Sequence, residues 1–223
     1  MPEVVIPGPV GRLEGRYNHS RSPRAPIALC LQPHPAHGGT MNNRLVYSLF
    51  HAYTRAGFSV LRFNFRGVGK SQGEYAGGEG ELADAASALD WLQSMNPNAR
   101  EVWVGGFSFG AYIAMQLLMR RPEIDRFISI APPAQMYDFN FLAPCPSSGI
   151  IVQGEKDSVV PVSAVDRLVD KLKLQKDITV DYHVMKDAGH FFQNEQADVD
   201  ALIEDYIARE LSPFEAAPTR TMA

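Results

Sequence analysis

Val102-Trp103-Val104-Gly105-Gly106-Phe107-Ser108-Phe109-Gly110-Ala111 is the stretch on which the fold turns. Its first three residues are β-branched or aromatic and predict a short buried strand. Residues 111–119 are apolar nearly all round, which predicts a buried helix, and Arg120-Arg121-Pro122 ends it. Between strand and helix lies a Gly-x-Ser-x-Gly pattern, Gly106 to Gly110. A serine on so sharp a turn is held in a strained backbone conformation with its Oγ exposed. Its neighbours two before and two after come so close to other backbone that glycine is needed at both. Five residues recur by chance in many chains; the flanking strand and helix give the pattern its meaning.

Outward from this turn, strand and helix signals alternate. Residues 3–19 read as two short strands around Gly8-Pro9. Strands follow at 27–31, 59–65, 127–130, 150–152 and 178–184. Helical spacing of apolar residues marks Leu45, Leu49, Tyr53 and Ala56; Leu82, Ala86, Leu89 and Leu92; Val165, Leu168, Val169 and Leu172; and Val199, Leu202, Ile203, Tyr206 and Ile207. Short apolar strands alternating with helices imply a mainly parallel sheet covered on both faces, here of eight strands with an antiparallel start. We expect one domain over residues 1–211 and a loose tail over 212–223, where two prolines interrupt any apolar period.

A serine hydroxyl is a weak nucleophile at neutral pH, so it needs a base in reach and a carboxylate to orient that base. Only two histidines follow the turn. His183 lies inside an alternating strand, whereas His190 follows Asp187-Ala188-Gly189 in a loop and is the expected base. For the acid, residues 150–157 run from a strand into a polar turn that ends at Asp157, past the carboxyl end of the strand, where ligand sites of open α/β sheets gather. Asp138 is its rival and Glu155 a lesser one. Two backbone N–H groups must meet the oxyanion that attack creates. One is expected from Phe109, the other from the loop Gln32-Pro33-His34-Pro35-Ala36-His37-Gly38-Gly39-Thr40. Pro35 has no N–H, so Ala36 is the expected donor and His37 the alternative. His37, Phe107 and Tyr112 are candidates for the substrate pocket. His34 and His37 lack a third ligand at sensible spacing, so no metal is expected.

At these residues the chain resembles the α/β-hydrolase superfamily. His34-Pro35 with Gly38-Gly39-Thr40, then Phe63-Asn64-Phe65-Arg66-Gly67-Val68-Gly69-Lys70-Ser71, is similar to a bacterial group of small hydrolases near dienelactone hydrolase. The resemblance implies the α/β-hydrolase fold without a large cap domain, the residues 131–149 being short where caps are inserted, and a mechanism with no cofactor. It assigns Asn64 and Arg66 to holding the turn after their strand. The nucleophile is serine where dienelactone hydrolase uses cysteine, so a dienelactone is not implied.

The expected activity is a serine hydrolase that cleaves a carboxylic ester or related small-molecule acyl bond through an acyl-enzyme. An acyltransferase or peptidase on the same triad, or an inactive hydrolase fold used for binding, are the alternatives. A formal charge of −4 argues against a nucleic-acid partner. No apolar run approaches the roughly 20 residues of a membrane span, and no signal segment opens the chain. Cys30 and Cys145 predict no disulfide framework, which suits a cytoplasmic location. A homo-oligomer is compatible with the sequence but is not specified by it.

Overall fold

The computed structural model describes residues 2–211; the tail expected at 212–223 lies outside them. The chain opens with β1 (Glu3–Gly8) and β2 (Gly11–Asn18). It continues through β3 (Ile27–Leu31), α1 (Arg44–Arg55), β4 (Ser59–Phe63), α2 (Glu79–Met95), β5 (Val102–Phe107) and α3 (Phe109–Leu118). Then come β6 (Arg126–Ile130), β7 (Ser148–Gly154), α4 (Val162–Lys173), β8 (Val180–Met185) and α5 (Gln196–Glu210). The strands form one eight-stranded sheet in the order β1-β2-β4-β3-β5-β6-β7-β8. β1 and β2 are antiparallel to each other and β2 to β4; all later pairings are parallel.

The fully buried strands β3, β4 and β5 explain the unbroken apolar runs. Apolar side chains of α2, α3 and α4 close one face of the sheet, and those of α1 and α5 close the other. Both cysteines are buried free thiols, and burial pushes the Cys30 thiol far up. No cap is inserted between β6 and β7; their connection contains one 3-10 turn, Asn140–Leu142. Among the described residues no helix is long and apolar enough to cross a membrane.

The stripe expected on α2 faces the core, with Leu82, Leu89 and Leu92 buried and Ala86 packed partly buried against it. Ala85 and Ala88 are buried as well. The buried face also takes in two carboxylates, Glu81 and Asp84, each fully enclosed. Buried charge needs partners, and both acids find them in the loop after β4. Asp84 accepts from the Arg66 backbone N–H at 3.0 Å and from its guanidinium at 2.9 and 2.7 Å. Glu81 accepts the N–H groups of Ala76 and Gly78 at 3.0 and 2.7 Å. Asn64 ties the same region to β2 and to the loop before α1, through Glu14 Oε2 at 2.9 Å and the Met41 N–H at 2.8 Å. Asn64 and Arg66 are thus held among backbone and carboxylate partners, as expected of turn residues.

Removing one partner of a buried ion pair strands the other. Asp84→Ala is expected to lower unfolding free energy by about 3–5 kcal/mol, measured by urea denaturation. A loss below about 1 kcal/mol would show that Arg66 relaxes to solvent.

Candidate active site

The carboxyl ends of β3 and β5 are adjacent, with Leu31 paired to Gly106. Successive helices leave this point for opposite faces of the sheet, which makes it the crevice where open α/β sheets bind ligands. Ser108 stands here at φ 54°, ψ −119°, in left-handed territory that a side chain seldom occupies. A Cβ on Gly106 would lie 2.3 Å from the Gly110 carbonyl carbon, and one on Gly110 2.3 Å from the Leu31 oxygen. Both glycines are therefore obligatory. Ser108 is anchored by its N–H to Ile130 O at 2.8 Å.

Ser108 Oγ lies 3.1 Å from His190 Nε2, and His190 Nδ1 lies 2.7 Å from Asp157 Oδ2. The structure therefore brings the three expected residues into one hydrogen-bonded line. With Nδ1–H directed at the carboxylate, Nε2 is left to accept the serine proton. Asp157 is further saturated by the Val159 and Val160 N–H groups, at 2.8 and 2.7 Å, and by Gln153 Nε2 at 3.1 Å. Burial pushes its carboxyl up, but the bonds from His190 and these two backbone N–H groups outweigh that and hold it below the usual range. The rivals stand elsewhere. Asp138 is exposed and binds the Asn140 N–H, Glu155 binds the Asp187 N–H, and His183 sits in β8 opposite Val152.

The histidine loop is clamped from several sides. Asp187 and Phe192, on either side of His190, both have positive φ, 61° and 47°. Lys156 N–H bonds Ala188 O at 2.9 Å, and a Cβ on Gly154 would meet that oxygen at 2.5 Å. Arg44, at the start of α1, bonds the carbonyls of Phe191 and Phe192 at 3.2 and 3.1 Å. Nothing in the sequence separates Arg44 from any other surface arginine.

The loop expected to supply the second oxyanion donor is hydrogen-bonded within itself. Ala36 N–H donates to His34 Nδ1 at 3.1 Å, so it is already committed. The His37 and Gly39 N–H groups both bond His34 O, at 3.1 and 3.0 Å, and Gly38 N–H bonds Pro35 O at 3.3 Å. The 3-10 turn Pro35–His37 folds the loop back on itself and consumes these donors. The N–H groups of both expected donors, Ala36 and His37, are thus engaged within the loop. Pro33 and Pro35 have none. Of the N–H groups in residues 33–39, only that of His34 has no acceptor among the described residues.

A groove of about 470 Å³ opens over Ser108. His37 and Phe107 line it, as expected, and the Phe107 ring centre lies 5.1 Å from that of His190. Tyr112 does not. One turn further along α3 it stacks on Tyr137 at 4.3 Å, and Tyr137 makes the wall instead. Met136, Val159 and Phe191, all exposed, add an apolar rim that the sequence reading missed. Only Phe191, next to His190, carried a positional hint.

A family profile described as alpha/beta hydrolase fold matches residues 36–147, and one described as prolyl oligopeptidase family matches residues 131–213. An uncharacterized protein of Rickettsia prowazekii is 51% identical over 93% of this chain and 89% of its own length. A protein of unknown function from Agrobacterium tumefaciens is 55% identical, with TM-score 0.92 over 96% of this chain and all of that one. A serine hydrolase without lid from Xanthomonas campestris is 30% identical, with TM-score 0.85 over 96% of each chain. The chain belongs to the α/β-hydrolase family, and its fold is that of a hydrolase without a large cap.

Because the Asp157 carboxyl is depressed in the folded state, its charge stabilises the fold above the unfolded carboxylate pKa of about 3.9. That contribution is lost as pH falls through the lower folded value. The stability advantage of wild type over Asp157→Asn in urea should therefore shrink as pH is lowered from about 5 to about 2. An advantage that stays constant over that range contradicts this assignment.

Proposed function

We propose that the protein is a serine carboxylesterase acting on uncharged small-molecule esters, with Ser108, His190 and Asp157 as its triad. The observation that carries this reading is the continuous line Ser108 Oγ–His190 Nε2 and His190 Nδ1–Asp157 at 3.1 and 2.7 Å, starting from a strained, half-buried serine on the groove.

In this mechanism His190 takes the Ser108 proton as Oγ attacks the ester carbonyl. The resulting oxyanion is held by the N–H groups of Phe109, at the start of α3, and of His34. His34 replaces the expected Ala36 because its donor alone is left over in the loop. Such donors typically contribute about 3–4 kcal/mol each to the transition state. His190, carrying its proton on Nε2, gives it to the departing alcohol. A water then enters, loses a proton to His190, and releases the acid by the reverse sequence.

The groove supports the substrate class. Among its lining residues there is no Asp, Glu, Lys or Arg; Phe107, Phe109, Tyr137, Met136 and Phe191 dominate. An anionic acyl group would give up its hydration without meeting a cation, and an ammonium would meet no carboxylate. We place the enzyme in the cytoplasm, a reducing compartment that suits its two free thiols. The prolyl oligopeptidase match over the segment that carries Asp157 and His190 favours amide cleavage as a second reading.

The test compares p-nitrophenyl butyrate with the p-nitrophenyl monoester of glutaric acid and with an alanyl p-nitroanilide. The neutral ester should lead in kcat/KM by at least about tenfold over each of the others. Ser108→Ala should remove turnover, and Asp157→Asn should lower kcat by about 10³–10⁴. Preference for the anilide would move the assignment to a peptidase. Turnover that survives Ser108→Ala would end the triad reading.

A further inference from the structure

The side chain of His34 makes contacts that a backbone donor does not require. Its Nδ1 accepts the Ala36 N–H at 3.1 Å, capping the 3-10 turn Pro35–His37. Its Nε2 meets the Tyr75 hydroxyl at 3.2 Å. The ring is packed against Phe109 at 4.8 Å between centres, and against Tyr75 and His37 at 4.9 and 4.6 Å. Phe109 supplies the other oxyanion donor, so one imidazole touches both sides of the hole.

Two different partners on the two ring nitrogens fix the proton. Nδ1 faces an N–H and must be bare; Nε2 must then carry the hydrogen and donate it to Tyr75 Oη. Tyr75 is itself held in place. The next residue, Ala76, gives its N–H to the buried Glu81. Partial burial and the neighbouring His37 keep His34 below the ordinary imidazole value, against the pull of Glu81, so the ring stays neutral.

We propose that the His34 imidazole, clamped as its Nε2–H tautomer between the Ala36 N–H and the Tyr75 hydroxyl, is the positioning residue of the oxyanion hole. It folds the loop so that the His34 N–H faces the reacting carbonyl, and it ties that loop to α2 through Tyr75 and Glu81. A proton on Nδ1 would point at the Ala36 N–H and break the cap. The proposal rests on the esterase reading above for its kinetic consequence, but the tautomer can be read without it.

Three substitutions separate the two nitrogens. His34→Asn keeps an acceptor at the Nδ1 position and is a good cap. His34→Gln carries its amide one bond further out, toward Tyr75, and lacks that acceptor. Tyr75→Phe removes only the outer bond. With p-nitrophenyl butyrate, Asn should keep kcat within about threefold of wild type, and Gln should lose about 10- to 100-fold. Tyr75→Phe, which keeps the inner bond and the ring, should also stay within about threefold, and KM should move less than threefold throughout. Gln equal to or better than Asn, or losses confined to KM, would overturn the proposal. The ¹⁵N shifts of the His34 ring in wild type give the second readout. A pyridine-like Nδ1 and a pyrrole-like Nε2 are expected, and the reverse would overturn the clamp. If wild type hydrolyses no ester, the esterase reading fails while the ring shifts still decide the clamp.

Discussion

At Gly110 two pieces of backbone lie in direct contact. A side chain there would stand 2.3 Å from Leu31 O and 2.5 Å from Gln32 O, a distance no packing change relieves. This contact binds the first turn of α3 to the carboxyl end of β3. It sets Ser108 in its left-handed conformation and draws the loop after β3 over the same point. The parallel pairing of β3 with β5, and the departure of helices to both faces, hold the two ends in register. Other strained residues gather at the same edge. Ala131 follows β6, and Asp187 and Phe192 bracket the histidine, all with positive φ. Strain of about 1–3 kcal/mol at each such residue persists only where surrounding structure imposes it, and here the eight-stranded sheet does so.

Polar groups around the groove are engaged by one another and leave few directions free. Asp157 accepts from His190, Gln153, Val159 and Val160, so His190 is oriented without freedom to turn. Gln32, fully buried, donates to Gly39 O at 2.7 Å and accepts from the Phe65 N–H at 3.0 Å, joining the loop after β3 to the loop after β4. Once these bonds are made, the groove presents Ser108 and an apolar wall.

The strand–helix alternation, the eight strands and the Gly106–Gly110 turn were legible because each rests on local chemistry: runs of β-branched residues, 3.6-residue spacing, and glycine where no Cβ fits. His190 and Asp157 were legible through chain order and their places past strand ends. The hydrogen bonding of the loop after β3 was not. Which N–H groups of a proline-rich loop are bonded within it depends on the 3-10 fold of Pro35–His37 and on the His34 side chain, and no sequence pattern announces either. Tyr112 was misplaced for a related reason. Adjacency to Ser108 along the chain says nothing of which side of the first helical turn a ring takes, and Tyr137 claims it by stacking. Glu81, Asp84 and Arg44 are charged residues whose roles depend on partners far along the chain. Solvent exposure is the reasonable expectation for such residues until a fold brings the partners in.

The central claim is that the fold activates Ser108, and a fluorophosphonate reports such activation directly because it reacts with an activated serine. Intact-mass analysis with peptide mapping should find one adduct per chain, on the peptide bearing Ser108, and none in folded His190→Ala. An adduct on another residue, or an unlabelled wild-type protein that remains folded, would contradict the account.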